Sequence, residues 1–102
     1  MSDLTIRDAG EKMRNLLHKW YPGEDPDVLA AKCGGKTIEE QNEWRNAIGT
    51  PEEGPEAADA ILALFARCAM KGIDLQTEIE RKLAILASRD DQPERDKERG
   101  IG

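Results

Sequence analysis

The stretch from Glu56 to Lys71 constrains the fold more than any other part of this 102-residue chain. Apolar residues recur there at helical spacing on one face, formed by Ile61, Leu64, Phe65 and Cys68. The other sides carry Ala57, Ala58, Leu62 and Ala69, so the helix is apolar on nearly every side. Such a helix must be covered on most of its surface by other elements.

Helix signals on both sides of this stretch predict an all-α protomer of four helices, without strands or repeats. Thr5 and Asp25 are suited to cap the first two helices, and Asp74 is suited to cap the fourth. The pair Gly34-Gly35 either kinks the second helix or makes it begin again at Thr37. The expected helices cover residues 5–21, 26–48, 56–71 and 75–87, and residues 49–55 form a loop.

The composition predicts one helical domain that is completed by other copies of itself. Only 38% of the residues are apolar and four are aromatic, so a single copy has a thin core. We therefore expect a homo-oligomer. The domain is assigned to residues 1–89, and residues 90–102 form a charged tail that is predicted to be disordered.

The charge and the cysteines indicate the setting of the protein. A net charge of −6 argues against nucleic acid as a partner, since such binders usually carry a basic face. The longest apolar run, Ala60 to Ala66, is too short to span a membrane. Cys33 and Cys68 lie in helical stretches and are expected to be buried, reduced thiols. These features predict a cytoplasmic protein without a membrane partner.

The whole charge excess lies in residues 37–59, which hold seven acids and one base, Arg45. The rest of the chain holds fourteen of each sign. Glu39, Glu40 and Glu43 share one edge of the second helix, and Glu56 and Asp59 share the first turn of the third. We expect no base on the same faces to neutralise them, so these like charges repel one another.

An antiparallel arrangement of the two helices would bring these carboxylates to one place. Converging carboxylates without His or Cys suit Mg²⁺ or Mn²⁺. The alternative is a solvated acidic surface, in which Thr37 and Glu40 form a capping box and Glu56 serves the start of the third helix. In that alternative Glu52 and Glu53 are ordinary loop charges.

The order of these acids resembles the signature of the MazG-like all-α nucleoside triphosphate pyrophosphohydrolases. The segment Glu39-Glu40-Gln41-Asn42-Glu43 is followed after twelve residues by Glu56-Ala57-Ala58-Asp59. Downstream, Gly72-Ile73-Asp74-Leu75 with Glu78, Lys82 and Arg89 also resembles the fourth helix of that family. The resemblance covers about residues 12–89. It implies a dimer or tetramer that cleaves a nucleoside triphosphate between the α and β phosphates.

The resemblance also implies roles for individual residues. Glu40, Glu43, Glu56 and Asp59 would bind the metal, and Glu39 would lie beside it or act as the base. Independently of the resemblance, the strong negative charge of a triphosphate makes Lys36, Lys82 and Arg89, with Lys32, candidates to bind the outer phosphates. Trp20 and Tyr21 are candidates to stack on the base, which weakly favours the purine deoxynucleotides dGTP and dATP.

The rival hypothesis is a non-catalytic oligomeric helical scaffold or adaptor with the same fold. A scaffold has no need of a like-charged cluster, so the retained acids favour the enzyme. Other metal chemistries are disfavoured because His18 is the only histidine and leaves a zinc site or a catalytic triad without partners.

Overall fold

A computed structural model, which describes residues 3–89 and 92–100, is helical throughout its regular parts. The all-α class is confirmed, and no strand occurs among the described residues. The helices are α1 (Ile6–Trp20), α2 (Pro26–Ala47), α3 (Glu53–Met70), α4 (Leu75–Ala87) and α5 (Gln92–Glu98).

Side-chain caps define the starts of three helices, as the sequence predicted. The Thr5 hydroxyl accepts a hydrogen bond from the backbone N–H of Asp8 at 3.0 Å, and the Asp8 carboxylate accepts one from Thr5, which completes a capping box. Asp25 caps α2, where Pro26 occupies the first helical position, and Asp74 caps α4.

Helix α2 runs without interruption through Gly34 and Gly35. The Thr37 hydroxyl donates to the Cys33 carbonyl at 2.7 Å, a bond made inside a continuous helix. A second start at Thr37 is therefore wrong, and so is the capping box that would have employed Glu40. The packing of α2 on its neighbours outweighs the helix propensity lost at two glycines.

Helix α3 begins at Glu53, three residues earlier than predicted. The predicted loop is wrong for residues 53–55, because Gly54 and Pro55 lie in the first turn. Proline is tolerated there since the first N–H groups of a helix have no partner within it. Glu53 also accepts a hydrogen bond from the Gly49 N–H at 2.7 Å, so its carboxylate closes the turn between α2 and α3.

The core is thin and lies where α1 and α2 pack on α3. Leu29 is the one large side chain that is fully buried among the described residues. Small residues and both cysteines supply much of the remaining buried surface, and burial raises the pKa of the Cys33 and Cys68 thiols. The central cluster contains Leu17, Leu29, Ala30, Cys33, Ala66 and Met70.

Helix α4 has no buried residue and packs only lightly on α1 and α3. Its Leu83 is 60% exposed, and Ile61 on the largely apolar α3 is 50% exposed. One copy of the chain therefore leaves much of the apolar surface of α3 and α4 uncovered.

Polar contacts join the start of α4 to α1, in a group that we call the Arg7 corner (Arg7, Asp74, Gln76 and Thr77). The Arg7 guanidinium donates to both carboxylate oxygens of Asp74, at 3.1 and 3.3 Å. The Thr77 hydroxyl donates to the same carboxylate at 2.9 Å, and the Arg7 N–H donates to the Gln76 side chain at 3.0 Å. Each charge in this corner has a partner.

The charged tail contains the short helix α5, where the sequence predicted no regular structure. Residues 90, 91, 101 and 102 lie outside the described residues, as do Met1 and Ser2, and the disorder expected of that part of the tail stays a prediction. Among the described helices, none is long and apolar enough to cross a membrane.

Candidate metal centre and adjoining cleft

The antiparallel packing of α2 and α3 brings the acidic residues of the two helices together. At one end of the pair, Lys71 after α3 forms an ion pair with Asp27 in the first turn of α2, at 3.0 Å. At the other end, the last turns of α2 meet the first turns of α3, and there Glu43 approaches Glu56. The convergence predicted from the sequence is present for three of the five carboxylates, Glu40, Glu43 and Glu56.

Three carboxylates form what we call the acidic cluster: Glu40 and Glu43 of α2 and Glu56 of α3. One oxygen from each lies within 4.8 Å of the others, a spacing at which one cation can contact all three. Asp59, one turn further along α3, is exposed and lines the neighbouring cleft rather than completing this group. Glu39 is also outside the group, and its side chain is 61% exposed.

Two oxygens of the acidic cluster are buried without a hydrogen-bond partner among the described residues. They are Oε2 of Glu40 and Oε2 of Glu56. A buried polar group left unpaired costs about 1–3 kcal/mol, and an ionised one costs more. A hard cation bound by these oxygens would remove that cost, so the donor set fits Mg²⁺ or Mn²⁺.

One base does lie on this face, contrary to the expectation that none would. Lys36 Nζ is 2.9 Å from Oε1 of Glu40, in an i,i+4 pair along α2, and 3.9 Å from Oε1 of Glu39. Lys36 lies just before the acidic segment of residues 37–59, and for that reason the charge count of that segment omitted it. The four-residue spacing from lysine to glutamate was the available signal.

The pKa shifts in the cluster follow from this arrangement. The hydrogen bond from Lys36 lowers the pKa of Glu40, although burial acts in the opposite direction. The pKa of Glu43 is raised by Glu40, first because the two carboxyl groups can share a hydrogen bond only when one of them is protonated, and then by the negative charge of Glu40. The charges of Glu56 and Glu39 raise it further. A position where one more negative charge is this costly favours a bound cation.

A cleft of about 530 Å³ adjoins the acidic cluster, and Glu40 lines it. Trp20 and Tyr21, at the end of α1, line its other end and are 56% and 43% exposed. Lys32 Nζ lies 4.6 Å from the centre of the Tyr21 ring, in a cation–π contact that the sequence analysis did not predict. The floor is apolar and includes Met13, Leu17, Cys33, Leu62, Ala63 and Ala66.

The predicted phosphate ligands fall into two groups. Lys32 and Lys36 line the cleft between its aromatic end and its acidic end. Lys82 on α4 and Arg89 just after that helix are not among the residues that line it. One copy of the chain thus brings together one aromatic pair, two lysines and the carboxylates.

Compared with known proteins, the chain matches no family model, no curated protein and no solved structure. The relationship to the MazG-like enzymes therefore rests on the signature of acids and stays a prediction.

Proposed function

We propose that this protein is a metal-dependent pyrophosphohydrolase of the MazG-like kind, which cleaves a nucleoside triphosphate to the monophosphate and pyrophosphate. The observation that carries the proposal is the pair of buried, unpartnered oxygens of Glu40 and Glu56 beside Glu43. An acidic surface that served solubility alone would keep its carboxylates in water. The open cleft next to these oxygens offers room for a substrate.

In this proposal Glu40, Glu43 and Glu56 hold the metal, and Asp59 faces the substrate from the wall of the cleft. Bound Mg²⁺ or Mn²⁺ would supply charge neutralisation at the phosphates and a more acidic water. Glu39 is exposed beside the cluster, where its carboxylate can accept the proton of an attacking water. The lysines that line the cleft can neutralise the outer phosphates.

The aromatic end of the cleft is the proposed site of the base. Trp20 and Tyr21 expose ring surface there, which favours a large purine such as that of dGTP or dATP. Trp20→Ala should raise KM for the nucleotide more than it lowers kcat, because the ring contacts the base rather than the reacting phosphate. An unchanged KM would remove Trp20 from the site.

We also propose that the protomer assembles into a homo-oligomeric helical bundle, a dimer or a tetramer, in the cytoplasm. The uncovered apolar side chains of α3 and α4, among them Ile61 and Leu83, support this assembly. Burial of these side chains between copies would supply the stability that a thin core does not. Light scattering coupled to size exclusion gives the molar mass, and a monomer at micromolar concentration would contradict the proposal.

The test of the activity is a panel of nucleoside triphosphates incubated with Mg²⁺ or Mn²⁺, with pyrophosphate release measured for each. We expect release from at least one of them, dependent on the metal, and a metal-dependent rise in Tm. If neither occurs, the alternative of a non-catalytic oligomeric scaffold or adaptor replaces the enzyme.

A further inference from the structure

Lys36 reaches the acidic cluster from the exposed side of α2. Its own side chain is 55% exposed, whereas the Glu40 side chain that it contacts is 8% exposed. The pair therefore joins a solvated ammonium to a buried carboxylate. An ion pair with one buried member is screened less than one between two surface residues.

The two oxygens of Glu40 have different environments. Oε1 forms an ion pair with the Lys36 ammonium at 2.9 Å, and Oε2 is buried without a hydrogen-bond partner among the described residues. A cation can therefore bind Oε2 while Lys36 remains on Oε1. The lysine and a metal ion need not compete for the same atom.

The charge count shows what the lysine changes. Glu40, Glu43 and Glu56 carry three negative charges when all are ionised, and Lys36 offsets one of them. Glu39, whose carboxylate lies 3.9 Å from the same ammonium, is 61% exposed, so solvent screens its charge more than those of the cluster. One divalent cation neutralises a sum of two, whereas three uncompensated carboxylates favour a trivalent ion. The next cation along α2, Lys32, is engaged with the Tyr21 ring and does not contribute at this point.

We propose that Lys36 is the residue that tunes the charge selectivity of the acidic cluster, by shifting its relative affinity away from trivalent cations and toward divalent ones. This role is distinct from the contact with outer phosphates that the sequence suggested, because it requires no nucleotide. The inference rests on the proposed function only in that the cluster binds a metal.

The experiment compares Mn²⁺ with Tb³⁺ on the full chain without nucleotide. Mn²⁺ binding is measured by electron paramagnetic resonance, and Tb³⁺ binding by luminescence, for wild type, Lys36→Met, Lys36→Arg and Lys32→Met. Lys36→Met removes the charge at similar length, and Lys36→Arg keeps it. Lys32→Met removes an equal charge from the same helix two turns away from Glu40. Circular dichroism with thermal melting checks that each variant is folded.

The decisive quantity is the ratio of the Mn²⁺ and Tb³⁺ dissociation constants. In Lys36→Met it should shift toward Tb³⁺ by about fivefold or more, the factor for one unit charge about 4 Å away even in full solvent screening. Lys36→Arg and Lys32→Met should keep the wild-type ratio. Any change in how well Glu40 is held alters both constants together and largely cancels in the ratio.

The outcomes separate this inference from the proposed activity. An unchanged ratio in Lys36→Met, or an equal shift in Lys32→Met, would overturn the role of Lys36. A wild-type protein that binds Mn²⁺ but hydrolyses no triphosphate would overturn the activity and leave this role intact. A wild-type protein that binds neither ion would overturn both.

Discussion

The acidic cluster and the Arg7 corner are two groups of charged side chains that differ in burial and in how completely their charges are paired. In the Arg7 corner, Arg7 and Asp74 are both about half exposed and fully paired, at 53% and 51%. In the acidic cluster, Glu40 is buried, and one of its oxygens has no partner among the described residues. The charges of the Arg7 corner are paired with each other, whereas the cluster has two buried oxygens to which the proposed cation could bind.

The largest expected effect comes from Glu43→Gln, which keeps the shape of a cluster member and removes its charge. Hydrolysis and metal binding should fall on the order of a hundredfold or more, because one of three ligand charges is lost. Without metal the Tm should stay the same or rise slightly, since like-charge repulsion is relieved. Enzyme kinetics and thermal melting with and without Mn²⁺ measure both effects.

The matched control for that prediction is Glu52→Gln, which removes the same charge from the exposed turn before α3. It should leave hydrolysis and the metal-dependent rise in Tm unchanged. Equal losses in both variants would mean that only the total charge of the segment matters, and the distinction between cluster and surface would fail.

The second prediction concerns the Arg7 corner, where a substitution should lower stability and leave metal binding unchanged. Asp74→Asn removes the ion pair with Arg7 but leaves a side-chain oxygen that can still cap α4, so the Tm should fall by a few degrees at most, with or without metal. The Mn²⁺-dependent rise in Tm should be as large as in wild type. Glu11→Gln, at an exposed carboxylate of α1, is the control. A lost metal response in Asp74→Asn would show that the two regions are coupled.

The third prediction concerns the loss of thermal stability at low pH that the Asp74 carboxylate causes. The hydrogen bonds from Arg7 and Thr77 hold the pKa of Asp74 below its ordinary value of 3.8. Folding therefore gains stability from Asp74 at pH values above the unfolded pKa, and that gain is lost as the pH falls through the lower, folded pKa. As the pH falls below about 4, Asp74→Asn should lose less Tm than wild type, because it has no carboxylate at this position to protonate. Parallel acid profiles of the two proteins would contradict it.

The smallest expected effect tests the helix that carries the cluster. Gly35 is exposed, and an added Cβ would meet nothing within 4 Å, so Gly35→Ala should stabilise the protein by about 0.5–1 kcal/mol. Gly49→Ala is the opposite control, because Gly49 has a φ of 83° that side chains rarely adopt. Urea denaturation measures both, and a destabilising Gly35→Ala would mean that α2 is bent at that residue in solution.

Much of the fold could be predicted because its signals are local. Caps at Thr5, Asp25 and Asp74 and apolar residues at helical spacing need only a few neighbouring residues to be recognised. The continuity of α2 through its two glycines could not be predicted, because helix propensity opposes it and tertiary packing decides it. The early start of α3 was missed since proline and glycine in a first turn look like a loop.

The candidate site also has features that the sequence could predict and features that it could not. The acids could be named from the sequence because their spacing places them on helix edges, and the antiparallel pairing of α2 and α3 brings three of them together. Which oxygens are buried depends on the packing of two helices and is not encoded in spacing, whereas the contact of Lys36 with Glu40 follows the four-residue spacing within α2. The contact of Lys32 with the Tyr21 ring crosses from α2 to the end of α1, beyond any local pattern.

The unbroken course of α2 has one more consequence, which concerns ligand length. Lys32 and Glu40 lie on the same helix eight residues apart, so about 12 Å of helical rise separates them. The continuous helix fixes the distance between the aromatic end of the cleft and its acidic end. Only a ligand long enough to span this distance can contact both ends of the cleft at once. A helix broken at Gly34-Gly35 would have allowed the distance between Lys32 and Glu40 to vary.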